Sequence, residues 1–207
     1  MNNERPQLKV GVLVSGSGTN LQAIIDRSES GDLGARVACV ISNKADAFAL
    51  ERARNHGIPA LYLNHRLFAS REEYDAALVS TLREHGVGLV VLAGFMRIVT
   101  PVLLDAFPMA VMNIHPALLP AFPGLHAQRQ ALEHGAKIAG CTVHFVDSGT
   151  DTGPIILQAA VPILENDTEE ELSQRISTAE HRIYPEAVRL FASGRLSVQG
   201  RRVSISQ

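Results

Sequence analysis

Cysteine, net charge and long apolar runs are all scarce in this sequence, and each shortage removes a class of protein. Only two cysteines, Cys39 and Cys141, occur in 207 residues, far apart and each inside an apolar run. They cannot make a disulfide scaffold, and buried thiols in a reducing compartment are expected. The net charge of −2 and sequence pI of about 6.4 leave no electrostatic footprint for nucleic acid. The one basic cluster, Arg195, Arg201 and Arg202, reads as a solvated turn. No apolar run reaches the length of a membrane span, and the opening MNNERPQLKV lacks the basic-then-apolar order of a secretory signal. A cytoplasmic chain with neither membrane nor nucleic-acid partner is expected. Repeats, low-complexity tracts and linkers are missing too. With 46% hydrophobic and 19% charged residues, the chain is expected to form one domain over residues 1–207.

What is present is an alternation. Leu8–Val14 is a continuous apolar run ending at Ser-Gly-Ser-Gly, the pattern of a strand buried on both faces. Thr19–Arg27 repeats its apolar residues at helical spacing. Arg36–Ile41 is a second strand, Ala45–His56 a second helix and Ala60–Leu63 a short third strand. Ser70 with Glu73 makes a capping-box pattern that opens a helix through Glu84. Val87–Ala93 and Met109–His115 read as strands, and Leu125–His134 as a helix. Two longer strands follow, Ile138–Val146 and Ile155–Ile163. Thr168 with Glu171 opens a final helix, and the tail alternates around Gln199-Gly200 like a hairpin. Strand followed by helix, repeated, predicts an α/β fold: a parallel sheet with helices on both faces.

The turn Ser15-Gly16-Ser17-Gly18-Thr19-Asn20 joins the first strand to the first helix. Glycines allow a tight turn and close approach to a ligand, and free N–H groups at a helix start favour an anion. It is not a dinucleotide fingerprint, because a third glycine is missing and Ser42-Asn43-Lys44 stand where an acidic residue would follow the second strand. Nor is it a Walker loop, for want of Gly-Lys-Ser/Thr. A single phosphate site and a plain Gly-Ser turn both remain open for this loop taken alone.

Val111-Met-Asn-Ile-His-Pro116 says more. Residues two apart on a strand share a face, so Asn113 and His115 point together at the strand's C-terminal end, where open α/β sheets bind ligands. The spacings of His115, His126, His134 and His144 match no metal-ligand pattern, so no metal is expected. Asp151 lies in Thr-Asp-Thr-Gly between the two late strands; one copy in an α/β setting argues against an aspartic protease. A carboxylate beside His115 would favour the imidazolium, which can stabilise an oxyanion or donate a proton.

These residues resemble the phosphoribosylglycinamide formyltransferase family. Asn113-Ile-His-Pro-Ala-Leu-Leu-Pro with Phe-Pro-Gly-Leu-His-Ala carries the likeness, joined by Ser-Asn-Lys-Ala-Asp-Ala-Phe (42–48), Leu-Ala-Gly-Phe-Met-Arg-Ile (92–98) and Glu180-His-Arg-Ile-Tyr-Pro. The resemblance runs from about Lys9 to Leu196. It implies a Rossmann-like open, mostly parallel sheet with a phosphate-binding N-terminal half and a catalytic, folate-binding C-terminal half. It implies 10-formyltetrahydrofolate as formyl donor, phosphoribosylglycinamide as acceptor, no metal, and a monomer or homodimer. Asn113, His115 and Asp151 would be the catalytic trio. Gly18, Thr19, Asn20, Leu21 and Gln22 would hold the ribonucleotide phosphate, and Glu180 the ribose hydroxyls. Arg71, Met96, Arg97, Ile98, Val99 and Asn113 would contact the folate, with residues 147–151 completing the pteridine slot. His144 is open between a supporting role and a structural one.

Two relatives share the Asn-x-His-Pro segment and fit less well. Methionyl-tRNA formyltransferase carries a further RNA-binding domain, for which no room is expected here. Formyltetrahydrofolate hydrolase carries an added N-terminal domain, and the first strand here starts near residue 8. A non-catalytic ligand sensor could dispense with part of the trio, yet all three residues are present.

Overall fold

Strand and helix alternate from Leu8 to His115: β1 (Leu8–Val14), α1 (Thr19–Glu29), β2 (Ala35–Ser42), α2 (Phe48–Asn55), β3 (Ala60–Tyr62), α3 (Arg71–Glu84), β4 (Leu89–Leu92), α4 (Pro101–Ala106) and β5 (Val111–His115). Then come α5 (Ala127–Glu133), the long pair β6 (Ile138–Phe145) and β7 (Ile155–Pro162), α6 (Glu169–Ala192) and the hairpin β8 (Leu196–Gln199) and β9 (Arg202–Ile205). The computed structural model describes residues 7–206.

All the strands join one sheet in the order β3-β2-β1-β4-β5-β6-β7-β9-β8. From β3 to β5 the pairings are parallel; β5 with β6 and β6 with β7 are antiparallel. This is the mostly parallel α/β sheet expected from the alternation. Strand order runs outward from β1 in both directions, so the switch point lies between β1 and β4. Open sheets of this kind bind ligands beyond the strand C-termini at such a point.

Helices cover both faces because strand residues alternate in direction. On one face Leu21, Ile24 and Ile25 of α1 and Leu172, Ile176 and Ile183 of α6 pack on Val10, Val12 and Val14. On the other, Tyr74, Leu78 and Leu82 of α3 pack on Leu13, Ile41 and Val90. Cys141 belongs to the first layer and Cys39 to the second, so the sheet separates them. Both are free and buried; burial pushes the Cys39 thiol up to about 11 and Cys141 to about 12.

The caps follow the sequence closely. Thr168 and Glu171 form the full reciprocal box at the start of α6. Ser70 accepts from Glu73 N–H as expected, but the Glu73 carboxylate reaches one residue further back, to Ala69 N–H, at 3.1 Å. α4 was not anticipated: six residues are too few to show a helical period, and only Pro101 at its first position marks it. The strand expected over Val87–Ala93 is shorter, Leu89–Leu92. The helix expected from Leu125 begins at Ala127, because His126 takes a left-handed φ of 58° as its N-cap. Among the described residues no helix is long and apolar enough to cross a membrane.

Candidate active site

The glycine turn after β1 is built for close approach. Gly18 has φ 74° and caps α1, and a Cβ there would lie 2.6 Å from Ala49 Cβ, so α2 can pack against the turn only because the residue is glycine. Ala49 N–H bonds Gly16 carbonyl at 3.1 Å and Arg52 Nε bonds Ser17 carbonyl at 2.9 Å, buttressing the loop from behind. Thr19 and Gly16 stay exposed, and a cleft of about 740 Å³ bordered by Thr19, Arg27, Arg52, His181 and Arg182 opens beside them. Asp26 and Asp32 line the same cleft and offset its three guanidinium groups, so what suits an anion here is the helix N-terminus at Thr19.

The expected phosphate residues divide in their roles. Leu21 is fully buried in the core, so only its backbone can face a ligand. Gln22 N–H is taken by Gly18 carbonyl at 2.9 Å, and its side chain bonds Asp26, His56 and Arg52. Asn20 instead turns inward: its Nδ2 donates to Glu180 Oε2 at 2.9 Å, while its buried Oδ1 has no partner. Glu180 comes from α6, far off in sequence, and burial pushes its carboxyl up, against the lowering effect of the Asn20 hydrogen bond. Thus the loop and α6 meet through Asn20 and Glu180.

Beyond β4 the chain exposes apolar surface. Met96 is 64% and Ile98 61% exposed, whereas Phe95 between them and the sheet is buried. Large apolar side chains held outward at a strand end suit a flat apolar ligand. The Arg97 guanidinium carbon lies 5.3 Å from the Tyr74 ring centre, and Val99 packs on the α3 side. Arg71, the first residue of α3, is exposed.

β5 and β6 assemble the trio. Antiparallel register sets Asn113 opposite His144 and His115 opposite Thr142, so all four share one face. Asp151 comes in from the β6–β7 loop: its Oδ2 is 3.3 Å from His115 Nδ1 and accepts Gly124 N–H at 2.8 Å, and its Oδ1 accepts from Asn113 Nδ2 at 3.5 Å. His115 is 4% exposed and the Asp151 side chain 12%. His115 Nε2 donates to the Phe122 carbonyl at 2.8 Å. A carbonyl only accepts, so that bond fixes a hydrogen on Nε2 and leaves Nδ1 as the nitrogen that faces the carboxylate. Burial alone would raise the Asp151 carboxyl. The neighbouring imidazole of His144, the Gly124 N–H bond and the imidazole of His115 outweigh it and hold the carboxyl below its ordinary value.

Several supporting groups escaped the sequence reading. Phe122, His126 and Asp151 all have φ between 52° and 58°, an uncommon left-handed conformation concentrated here. Thr142 Oγ1 donates to Ala117 carbonyl at 2.7 Å and accepts from Leu119 N–H at 3.0 Å, and Gln158 Nε2 bonds both Thr142 Oγ1 and Leu119 carbonyl at 2.9 Å. These two side chains pin the proline-rich loop over the trio. Thr142 and His144, polar residues two apart in an apolar strand, were the available signal. His144 Nδ1 donates to Phe145 carbonyl at 2.8 Å, which leaves its Nε2 3.3 Å from Asn113 Nδ2 and 3.7 Å from Asp151 Oδ1. Tyr184 Oη reaches both Leu92 and Met112 carbonyls at 3.0 Å, tying the ends of β4 and β5 together. Among the described residues no group of three or more His, Cys, Asp or Glu side chains is placed to hold a metal ion.

A glycine turn at a helix N-terminus, an exposed apolar rim and a buried Asn-His-Asp cluster thus lie at the strand ends of an open α/β sheet. The sequence profile of the formyl transferase family matches residues 8–188, and the chain belongs to that family. The phosphoribosylglycinamide formyltransferase of Escherichia coli (strain K12) is 48% identical over 191 residues, covering 92% of this chain and 90% of that protein. At that identity and coverage the chain sits with the phosphoribosylglycinamide formyltransferases of the family. The crystal structure of glycinamide ribonucleotide transformylase 1 from Symbiobacterium toebii superposes with a TM-score of 0.97 at 60% identity, covering 98% of this chain and 96% of that one. The trifunctional purine biosynthetic protein adenosine-3 of Chironomus tentans is 50% identical over 191 residues, and the chain spans 14% of that protein's length.

Proposed function

We propose that this chain transfers the formyl group of 10-formyltetrahydrofolate to the amine of phosphoribosylglycinamide, giving formylglycinamide ribonucleotide and tetrahydrofolate in purine biosynthesis in the cytoplasm. The observation that carries the reading is the convergence of Asn113, His115 and Asp151 at the end of β5, with His115 Nδ1 3.3 Å from Asp151 Oδ2. It is flanked by an anion-binding turn after β1 and an apolar rim after β4, one for each substrate.

The N–H groups of Thr19, Asn20 and Leu21 at the start of α1 hold the phosphate, and the Glu180 carboxylate accepts from the ribose hydroxyls. Met96, Ile98 and Val99 offer apolar contact to the folate ring system, with Arg97 and Arg71 at its rim. Holding the two reactants in register supplies much of the acceleration. As the amine adds to the formyl carbon, Asn113 Nδ2 turns to the oxygen that gains charge, and protonated His115, its Nε2 held by the Phe122 carbonyl and its Nδ1 facing Asp151, stabilises that oxygen by its positive charge. Asp151 keeps the proton on His115 and, through a water, passes the proton lost by the amine to the departing folate nitrogen. The addition compound then collapses, breaking the bond from the formyl carbon to the folate nitrogen, and the steps need only proton transfer and charge stabilisation from these residues.

The test is to supply the purified chain with the ribonucleotide and the folate donor, chelator present, and follow donor loss and formylated product together. One product for each donor consumed is expected. Free formate without formylated product would mark a hydrolase and overturn the reading. With methionyl-tRNA added as a competing acceptor, transfer to it alone would do the same.

A further inference from the structure

Ser15 takes no part in the chemistry above, yet it is buried where three strand ends meet. Its hydroxyl donates to Asn43 Oδ1 at 2.6 Å, at the end of β2, and accepts the N–H of Met96 at 2.9 Å, beyond β4. Ser15 and Asn43 are 4% and 5% exposed. Ser15 is also the first residue of the glycine turn, and Met96 the first exposed apolar residue of the rim. The hydroxyl therefore joins the segment assigned to the phosphate to the segment assigned to the folate. Asn43 fixes which way the hydroxyl hydrogen points, so a lone pair is left to meet Met96 N–H. The far end of the rim is held independently, by Thr100 N–H donating to the buried Asp75 carboxylate at 2.6 Å. Two anchors thus bracket Met96–Val99, and only one of them is shared with the phosphate turn.

We propose that Ser15 is a positioning residue that couples the two substrate sites, so that filling one orders the other. The inference rests on the proposed assignment of the two segments to the two substrates. Coupling carried this way is reciprocal: each ligand must tighten the other by the same factor.

Equilibrium binding of tetrahydrofolate, with and without phosphoribosylglycinamide, measures that factor without turnover. The native chain is expected to show a tightening of about fivefold or more, the lower end of usual coupling factors. Ser15→Ala should bring the factor to within about twofold of one, while Ser15→Thr, which keeps the hydroxyl, retains it. In steady state Ser15→Ala should raise KM for both substrates with kcat largely kept, the mark of lost ground-state binding. Asn43→Ala, which removes the acceptor that orients the hydroxyl and leaves Ser15 itself in place, should lower the factor as well and serves if Ser15→Ala fails to fold. A native factor of one, or full coupling in the variants, would overturn the proposal. Failure of the native chain to bind either ligand would instead overturn the substrate assignment.

Discussion

Replacing Asp151 by Asn separates the carboxylate's charge from its shape. The amide keeps the volume and one oxygen to accept Gly124 N–H, which now lies at 2.8 Å, so the loop should hold its place. What disappears is the negative charge 3.3 Å from His115 Nδ1. With an effective dielectric of about 20, a unit pair at that separation interacts by roughly 5 kcal/mol, an upper bound on what the charge does for an imidazolium. At about 1.4 kcal/mol per decade of rate, this allows at most some three to four decades. Loss of a positioned proton-transfer group alone costs about 10²–10⁴-fold. The two routes agree on a fall in kcat of about 10³-fold. Ribonucleotide affinity should stay within a few-fold, because the anion-binding turn lies at the end of β1 and not on the Asp151 loop. Single-turnover rates with calorimetric ribonucleotide binding measure both. A kcat loss below about tenfold, or collapsed binding with normal saturating turnover, would refute the role given to Asp151.

Other predictions rest on different parts of the fold. Gly18→Ala forces a side chain into a left-handed φ of 74° and against Ala49, so it should destabilise by roughly 2–4 kcal/mol and weaken ribonucleotide binding, read by thermal melts and titration. Tyr184→Phe removes the hydroxyl shared by the Leu92 and Met112 carbonyls; a loss of about 1–2 kcal/mol, some 2–8 °C in Tm, is expected by calorimetry. The pH dependence of Tm should separate two aspartates. Burial raises the Asp75 carboxyl, ahead of the lowering by Thr100 and Arg97, so its folded pKa lies above the unfolded one. The native chain should therefore gain stability relative to Asp75→Asn as pH falls through that raised value toward about 4. Asp151, held below its ordinary value, runs the other way. Its stabilisation relative to Asp151→Asn is present above about pH 4 and is lost as pH falls through the depressed value.

Much of this was legible because its signals are local. Ser-Gly-Ser-Gly after an apolar run marks the β1–α1 turn, and Thr168 with Glu171 marks the start of α6 by chemistry confined to four residues. Period two put Asn113 and His115 on one face, and the structure keeps them there. Asp151 was legible through the resemblance, not through any pattern that says it meets His115. What sequence reasoning missed depends on distant contacts. Nothing near Ser15 announces Met96, 81 residues away. Nor does Thr142 announce the Ala117 carbonyl, since a hydroxyl in a buried strand satisfies itself wherever the fold brings an acceptor. Met96 and Ile98 are marked for the folate by the resemblance alone; nothing in their own pattern separates them from core residues, and burial shows them facing outward. The resemblance puts Leu21 with the phosphate residues, and its buried side chain narrows that expectation to the backbone.

The most direct test of the central claim follows an isotopically labelled formyl carbon from the folate donor in the presence of the ribonucleotide, by NMR, in the native chain and in Asp151→Asn. The label should leave the folate and appear on the amine nitrogen of the phosphoribosylglycinamide in equal amount. The same transfer should run about 10³-fold slower in the variant. Label recovered as free formate, or transferred equally fast by both proteins, would contradict it.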